Sequence, residues 1–210
     1  RHGLDDFART RKACSERLES LGRTARDWAR WDDTWRFVEG ENPDFVRANL
    51  EEESLASLDA DIMVFLARDG TLVHERLRPR PGVAVPAAAV QALRAQAASG
   101  PRPERDTQSA TRTGMLALPG APLLFATHPV YRSDGSGPPA GRFFIGRFLD
   151  GERLGELSAE VGLALSLRPP SDLPPGSGEV VSRAGEDRLL VRGLFTELAG
   201  TPAFVVEVSE

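Results

Sequence analysis

The stretch Ile62-Met63-Val64-Phe65-Leu66-Ala67 is apolar and β-rich, and Arg68-Asp69-Gly70 separates it from a second short run, Thr71-Leu72-Val73. Asp-Gly between two such runs is a strong signal for a β-hairpin, because a type I′ turn requires positive φ at both central residues. The sequence therefore predicts that the first two strands of a sheet pair here in antiparallel orientation.

The chain that follows this hairpin predicts a helical crossover and three further strands. Residues 86–98 are rich in alanine and have apolar residues at helical spacing. They lie between two predicted loops, at 79–86 and 101–112. Three β-rich runs come next, and they span 113–118, 123–131 and 142–149.

The last part of the chain predicts one more helix and a closing hairpin. Apolar residues recur at i, i+3, i+7 and i+11, which indicates a helix that ends at Pro169-Pro170. These apolar residues are Leu154, Leu157, Val161 and Leu165. A linker rich in Pro, Gly and Ser is expected at 169–178, and two β-rich runs at 188–194 and 203–208 are expected to pair.

Apolar residues recur at heptad spacing near the start of the chain. Alternating steps of three and four residues predict one helix over residues 3–38, roughly 50 Å long at about 1.5 Å per residue. Such a helix either packs along its own domain or forms a stalk whose N-terminal half pairs with a second copy. The seam positions are Leu4, Phe7, Arg11, Cys14, Leu18, Leu21, Ala25, Trp28, Asp32 and Trp35.

The predicted long helix ends in a cluster that holds all three tryptophans, Trp28, Trp31 and Trp35. Asp32 occupies a seam position in this cluster, where an apolar residue is expected. A buried carboxylate needs partners because its desolvation is costly. Asp32 is therefore either a hydrogen-bonded cap that ties the helix to the domain, or part of one wall of a ligand pocket.

The order of these elements predicts an α+β fold, a long N-terminal helix followed by a PAS/Cache-like antiparallel sheet with flanking helices. In this fold, ligands bind to the five-stranded sheet under the helical crossover. The predicted division is a stalk helix at 1–38, a sensor core at 39–168, and a linker with a C-terminal β-hairpin at 169–210. Fold alone does not define function.

Composition and motifs exclude several function classes. A net charge of −5 argues against a surface that binds nucleic acid by neutralising phosphates. The single Cys14 excludes an intramolecular disulfide, and the histidines His2, His74 and His128 lack metal-ligand spacing. The glycine-rich loop at 135–141 lacks the Lys-Ser/Thr of a phosphate loop. The sequence predicts no catalytic residues, no metal and no cofactor, and hence a protein that is not an enzyme.

Four stretches carry a family resemblance over roughly residues 28–168. They are Trp31-Asp32-Asp33-Thr34-Trp35-Arg36-Phe37-Val38, Phe45-Val46-Arg47-Ala48-Asn49-Leu50, Leu58-Asp59-Ala60-Asp61, and the block from Gly120 to Arg147. Together they resemble the type-4 CHASE domain. The aromatic-Asp-Asp motif is moderately specific, and its combination with the Gly120–Arg147 block is more so.

The resemblance implies an extracytoplasmic, periplasmic sensory loop between two helices of an inner-membrane protein. Such loops control a cytoplasmic histidine kinase, diguanylate cyclase or phosphodiesterase, so they belong to two-component or cyclic di-GMP signalling. The chain begins without Met and has no run of about 18 apolar residues. We therefore expect a segment excised from a membrane-anchored receptor, with the closing hairpin returning toward the membrane.

A ligand pocket should combine apolar walls with a few converging polar groups. Arg112, just before the third strand, is expected either to pair with a ligand carboxylate or to form a salt bridge within the domain. The candidate ligand-binding residues are Trp31, Asp32, Trp35, Arg112, Tyr131 and Phe144.

Three function hypotheses follow. The first is a ligand-sensing input domain of a bacterial membrane receptor that recognises an unknown small molecule and forms a homodimer through the N-terminal helix. The second is a periplasmic protein-interaction module that senses a partner protein without a small ligand. The third is a periplasmic hydrolase, which requires a buried cluster of histidine, carboxylate and nucleophile.

Overall fold

The computed structural model describes residues 2–80, 86–99, 110–118, 120–168, 179–183, 189–196 and 202–209. Its helices are α1 His2–Ala29, α2 Asp32–Val38, α3 Phe45–Asn49, α4 Glu52–Ser57, α5 Pro86–Ser99 and α6 Gly151–Val161. Its strands are β1 Ile62–Ala67, β2 Leu72–Leu77, β3 Arg112–Leu116, β4 Leu123–Val130, β5 Gly141–Phe148, β6 Ala164–Arg168, β7 Glu179–Arg183, β8 Leu189–Thr196 and β9 Pro202–Ser209.

The first five strands form one antiparallel sheet in the order β2-β1-β5-β4-β3. The predicted order of two strands, a crossover helix and three strands is confirmed, and so is the α+β, PAS/Cache-like class. The first hairpin is also confirmed, but its turn is not type I′. Only Gly70 has positive φ (88°), and the Asp69 carboxylate instead accepts a hydrogen bond from the backbone N–H of Thr71 (2.8 Å).

A second sheet, in the order β6-β9-β8-β7, follows α6. The closing hairpin is confirmed as the antiparallel pair β8–β9. The predicted helix through Leu165 is wrong: α6 ends at Val161, and Gly162 adopts the left-handed conformation (φ 71°) that ends many helices. Leu165 lies in β6, opposite Val208. The predicted linker at 169–178 lies outside the described residues.

The predicted single helix over residues 3–38 is interrupted. α1 ends at Ala29, and Trp31 is extended (φ −88°, ψ 130°) before α2 begins at Asp32. The carbonyl of Ala29 accepts a hydrogen bond from the backbone N–H of Tyr131 (3.0 Å) at the end of β4. This bond to the sheet replaces the next helical hydrogen bond, which explains why the helix breaks here.

The seam of α1 packs against the chain itself. Phe7, Cys14, Leu21 and Ala25 are buried, and α1 contacts β3, β4, β5, α6 and β8. Both halves of α1 therefore have the packing expected of a helix that lies along its own domain. The division of the chain at residues 38 and 168 remains a prediction.

The five-stranded sheet has two differently covered faces. We call the face under α1 the helix face and the face under α5 the crossover face. On the helix face the buried strand residues are Met63, Phe65, Met115, Leu124, Ala126, Val130, Phe143 and Ile145. On the crossover face they are Ile62, Val64, Leu66, Leu116, Leu123, Phe125, Phe144 and Phe148.

Candidate functional site

The crossover face holds a cavity of about 390 Å³ between α5 and the ends of β1, β4 and β5. Its volume lies within the range typical of small-molecule sites, about 300–1,000 Å³. The described lining residues are Leu66, Ala67, Arg68, Asp69, Gly70, Gln91, Arg94, Ala97, Pro129, Pro139, Gly141 and Arg142. They come from the β1–β2 turn, one side of α5, the end of β4 and the start of β5.

Gly141 allows two strands to approach closely at the floor of this cavity. A Cβ atom there would lie 1.9 Å from the backbone oxygen of Leu66 and 2.8 Å from Val38 Cγ1. Because the nearest atom is backbone, no side-chain movement would relieve this clash. Glycine at residue 141 therefore allows β5 to lie this close to β1 directly before Arg142.

Three arginines line the cavity, each from a different element. Arg68 Nε donates to the carbonyl of Pro139 (2.9 Å), and this bond links the β1–β2 turn to the loop before β5. Arg142 Nη1 lies 3.5 Å from Thr127 Oγ1. Within the described part of the chain, Arg94 of α5 makes no ion pair.

The described lining contains one carboxylate, that of Asp69. The hydrogen bond from the backbone N–H of Thr71 lowers the pKa of Asp69 below its ordinary value, so this side chain is charged and already engaged. The described lining thus carries three guanidinium groups and one carboxylate. This excess of positive charge suits an anion.

Two of the six residues predicted from sequence lie on the crossover face. Arg112 is opposite Thr127 in the β3–β4 register, and Thr127 is opposite Phe144 in the β4–β5 register. Phe144 is fully buried in the core under α5, where its ring lies 6.3 Å from that of Phe125. Neither Arg112 nor Phe144 is among the described lining residues. No ion pair involving Arg112 is present within the described ranges.

The other four predicted residues gather around the junction of α1 and α2. Asp32 accepts hydrogen bonds from the backbone N–H (2.8 Å) and hydroxyl (2.9 Å) of Ser133. These bonds lower the pKa of Asp32 below its ordinary value. Asp32 therefore ties the start of α2 to the loop after β4, which matches the first of its two interpretations.

The aromatic members of this group pack or stack instead of lining the cavity. The guanidinium of Arg132 lies 4.3 Å from the ring centroid of Trp35, and Tyr131 is fully buried beside the end of α1. Trp31 is 40% exposed, and its ring lies 5.9 Å from that of Phe45. It borders a separate, open cleft of about 550 Å³ between the end of α1 and the helices α3 and α4.

An ionic cluster at the opposite end of β1 and β5 was not predicted from the sequence. Asp61 is fully buried and accepts hydrogen bonds from Arg78 Nη2 (2.9 Å), the backbone N–H of Phe148 (2.9 Å) and the guanidinium of Arg153. Burial alone would lower the pKa of Arg153, but hydrogen bonds and ion pairs to Asp61 and Asp59 raise it above its ordinary value. The pair Asp59 and Asp61 just before β1 was the available signal.

The same cluster joins the start of the crossover to α6. Arg80, which follows β2, donates from Nε to Asp150 (2.8 Å) and from Nη2 to Glu152 (2.8 Å). Asp150 is also the N-cap of α6, where it accepts a hydrogen bond from the backbone N–H of Arg153 (3.1 Å). These bonds hold the segment that follows β2 against the first turn of α6.

No group of three or more His, Cys, Asp or Glu side chains in the described residues is placed to hold a metal ion. No helix within the described ranges is both long and apolar enough to span a lipid bilayer.

Comparison with known proteins identifies the class of domain. The family model of the CHASE4 domain matches residues 13–168, about three quarters of the chain. The chain belongs to the CHASE4 domain family, a family of sensory domains, and the resemblance found in its sequence is confirmed.

The relatives agree with this assignment. The chain is 31% identical over 201 residues to the methanogenesis regulatory histidine kinase FilI of Methanothrix harundinacea (strain 6Ac). That match covers 91% of this chain and 22% of FilI, so the chain spans about a fifth of its relative. Two crystal structures of the periplasmic domain of Vibrio cholerae LuxQ cover 99% of this chain, with TM-scores of 0.59 and 0.61. Their sequences are 10% and 11% identical to this chain, and the matches cover 98% and 97% of the two LuxQ chains. At this level of identity, the likeness shows a shared fold.

Proposed function

We propose that this chain is the extracytoplasmic ligand-sensing input domain of a transmembrane signalling receptor. The observation that carries the proposal is the cavity under α5, on the face of a CHASE4 sheet where a crossover covers the strands. A cavity with apolar walls and a few polar groups is the usual form of a small-molecule site. The ligand would be enclosed between α5 and the strands β1, β4 and β5.

The output of the receptor would lie in other parts of the full-length protein. A histidine kinase is the favoured output, because the relative FilI is a histidine kinase of which this chain matches 22%. A diguanylate cyclase or phosphodiesterase is the other output expected from the family resemblance. In each case this domain supplies the signal and the catalytic step takes place elsewhere.

The signal would pass from the crossover face to α1 through the strands. Arg142 lines the cavity, and its neighbour Phe143 points to the other face, where its ring stacks on Trp28 with centroids 6.1 Å apart. A ligand that shifts β5 therefore changes the packing of the sheet against the end of α1. The expected consequence is a shift or rotation of α1 relative to a dimer mate.

A homodimer through α1 would use the exposed face of that helix, because its apolar seam packs within the chain. Ser15 and Glu19 lie on this exposed face. In a full-length receptor that carries Cys14→Ser, single cysteines at residues 15 and 19 should crosslink to a second copy. The crosslinking rate should change when ligand binds. Identical rates with and without ligand would contradict the proposed motion.

A pair of tryptophan substitutions on α5 tests the cavity itself. Ala97 lines the cavity, whereas Ala95 is exposed on the same helix. In the full-length receptor, Ala97→Trp should fill the cavity and abolish the response, while Ala95→Trp should leave it intact. A receptor that still responds with Ala97→Trp would refute a ligand site under α5.

The alternative function is a module that binds a partner protein. It is favoured by the open cleft beside Trp31, the large apolar side chain that is exposed in the described part of the chain. On this alternative, Trp31→Ser would abolish the receptor's response and Ala97→Trp would not. The two substitutions thus give opposite results under the two proposals.

A further inference from the structure

We infer that the ligand of the crossover-face cavity is a small organic carboxylate, held by the guanidinium groups of Arg94 and Arg142 with its carbon skeleton against the apolar wall. This inference rests on the proposed function, because it specifies the chemistry of the same cavity. It differs from the expectation from sequence, in which Arg112 either pairs with a ligand carboxylate or forms a salt bridge within the domain.

The charge of the described lining indicates a negatively charged ligand. Arg68, Arg94 and Arg142 approach from the turn, from α5 and from β5, and Asp69 is the one acidic side chain in the described lining. Asp69 is held by the backbone N–H of Thr71, and Arg68 is 4.0 Å from Glu39 at its nearest. A guanidinium remains charged at all physiological pH values and binds carboxylates through paired hydrogen bonds.

The apolar part of the lining shows that the ligand is organic. Leu66, Ala97, Pro129 and Pro139 present hydrocarbon surface to the cavity. An inorganic anion would leave this surface in contact with water, whereas a carbon skeleton would bury it, at a gain of about 25 cal/mol per Å². The volume of about 390 Å³ limits the ligand to a small molecule.

Two of the three arginines approach the cavity from different elements, α5 and β5. Arg68 Nε donates to the carbonyl of Pro139. Arg94 lies on an exposed side of α5 and reaches the cavity from above, while Arg142 lies on the floor next to Gly141. A carboxylate between them would receive charge-assisted hydrogen bonds from a helix and from a strand. Ligand binding would then draw α5 toward β5.

The test measures binding by isothermal titration calorimetry with matched probes. The carboxylates are glutarate and 3-phenylpropionate, the neutral counterparts are glutaramide and 3-phenylpropionamide, and inorganic phosphate is the anion without a skeleton. The proteins are the wild type, Arg94→Gln, Arg142→Gln and the control Arg47→Gln. Arg47 is exposed on α3 and pairs with Asp44, remote from the cavity. Unfolding midpoints without probe verify that each variant is folded.

We expect at least one carboxylate to bind the wild type and Arg47→Gln with equal affinity. Arg94→Gln and Arg142→Gln should each weaken that binding about tenfold or more, and the matching amide should bind about tenfold more weakly. Arg94→Gln leaves the sheet untouched, so it remains informative if Arg142→Gln does not fold. Phosphate should bind more weakly than the carboxylate.

Three results would overturn the inference. The first is equal binding of amide and carboxylate, and the second is unchanged carboxylate affinity in Arg94→Gln. The third is no carboxylate binding to the wild type at a probe concentration of about 10 mM, which is ten times a Kd of about 1 mM. If one of them occurs while Ala97→Trp still abolishes the receptor's response, the cavity is a sensor site for another class of ligand. If Ala97→Trp leaves the response intact, the proposed function itself fails.

Discussion

The two faces of the five-stranded sheet are covered in different ways. The helix face is closed by the 28-residue α1, and its centre is a set of aromatic rings in which Phe143 lies 4.7 Å from Phe65 and 6.1 Å from Trp28. The crossover face is covered by the 14-residue α5 and keeps a cavity with arginines along its lining. Apolar packing fills the helix face, whereas the crossover face combines an apolar core with a cavity that charged side chains line.

The alternation of side chains along a strand links these two roles. Arg142 and Phe143 are neighbours in β5 but point to opposite faces. If a ligand moved Arg142, the movement would reach the adjacent Phe143, whose ring packs on Trp28 of α1. The contrast between these two neighbours predicts that substitution of the buried Phe143 lowers stability, whereas substitution of the cavity-lining Arg142 mainly affects binding.

The largest effect is expected at Phe143. Phe143→Ala removes a fully buried ring that stacks on Trp28 and contacts Phe65. We expect a loss of about 4 kcal/mol in the free energy of unfolding, as for other buried aromatic side chains cut to alanine. Urea denaturation followed by tryptophan fluorescence would measure it.

Arg142→Gln is the matched control on the other face of the same strand. Replacing this half-buried side chain should lower the free energy of unfolding by less than about 1 kcal/mol, because glutamine keeps a polar, hydrogen-bonding group at the site. Equal losses for the two substitutions would show that the faces do not divide stability from binding in this way.

A somewhat smaller effect is expected at the ionic cluster, which lies where β1 begins and β5 ends. Asp61→Asn removes the buried charge between Arg78 and Arg153 and leaves both guanidinium groups without their main partner. We expect a loss of about 3 kcal/mol in the free energy of unfolding. Differential scanning calorimetry of the chain would detect it as a lowered Tm.

Asp59→Asn is the control for this cluster. Asp59 contacts Arg147 and Arg153, but its side chain is 58% exposed, so the loss should stay below about 1 kcal/mol. If Asp59→Asn were as destabilising as Asp61→Asn, burial would not be the reason for the importance of Asp61.

The order of the elements in the five-stranded sheet could be predicted from the sequence, because local signals mark it, whereas β6 and β7 were not predicted. Asp69-Gly70 marks the first hairpin, and apolar runs mark β3, β4 and β5 to within two residues. The break after Ala29 could not be predicted in this way. It depends on the N–H of Tyr131, about a hundred residues away, which binds the Ala29 carbonyl. The α6–β6 boundary was missed because Leu165 continues the helical spacing beyond Gly162.

The candidate site was harder to predict than the fold. The aromatic-Asp-Asp motif was conspicuous in the sequence, but Trp35 and Asp32 bind Arg132 and Ser133 at the α1–α2 junction. The arginines of the cavity come from a turn, a helix and a strand, and no spacing in the sequence joins them. Of the six candidate residues, Arg112 and Phe144 lie on the crossover face, and neither is among the described residues that line the cavity.

A smaller effect is expected at the junction where α1 and α2 meet the helix face. The guanidinium of Arg132 lies 4.3 Å from the ring of Trp35, within the range of a cation–π interaction. A double-mutant cycle with Arg132→Met and Trp35→Leu should give a coupling energy of about 0.5–1 kcal/mol in urea denaturation. Additive losses would mean that the two side chains stabilise the fold independently.

The smallest effect is expected at Asp32 and depends on pH. Hydrogen bonds from Ser133 lower the pKa of Asp32 in the folded chain from its ordinary 3.8, so folding favours the charged carboxylate. Its contribution to stability is fully present above the unfolded pKa, and it is lost as pH falls from about 4 through the lowered folded pKa. The difference in urea midpoint between wild type and Asp32→Asn should therefore be constant between about pH 5 and 8 and shrink below about pH 4.

Ser133→Ala is the control: in that background the pH-dependent part of the difference should be smaller, because the hydroxyl bond to Asp32 is gone. A difference that grows as pH falls would mean that Asp32 does not act as a charged acceptor at this junction.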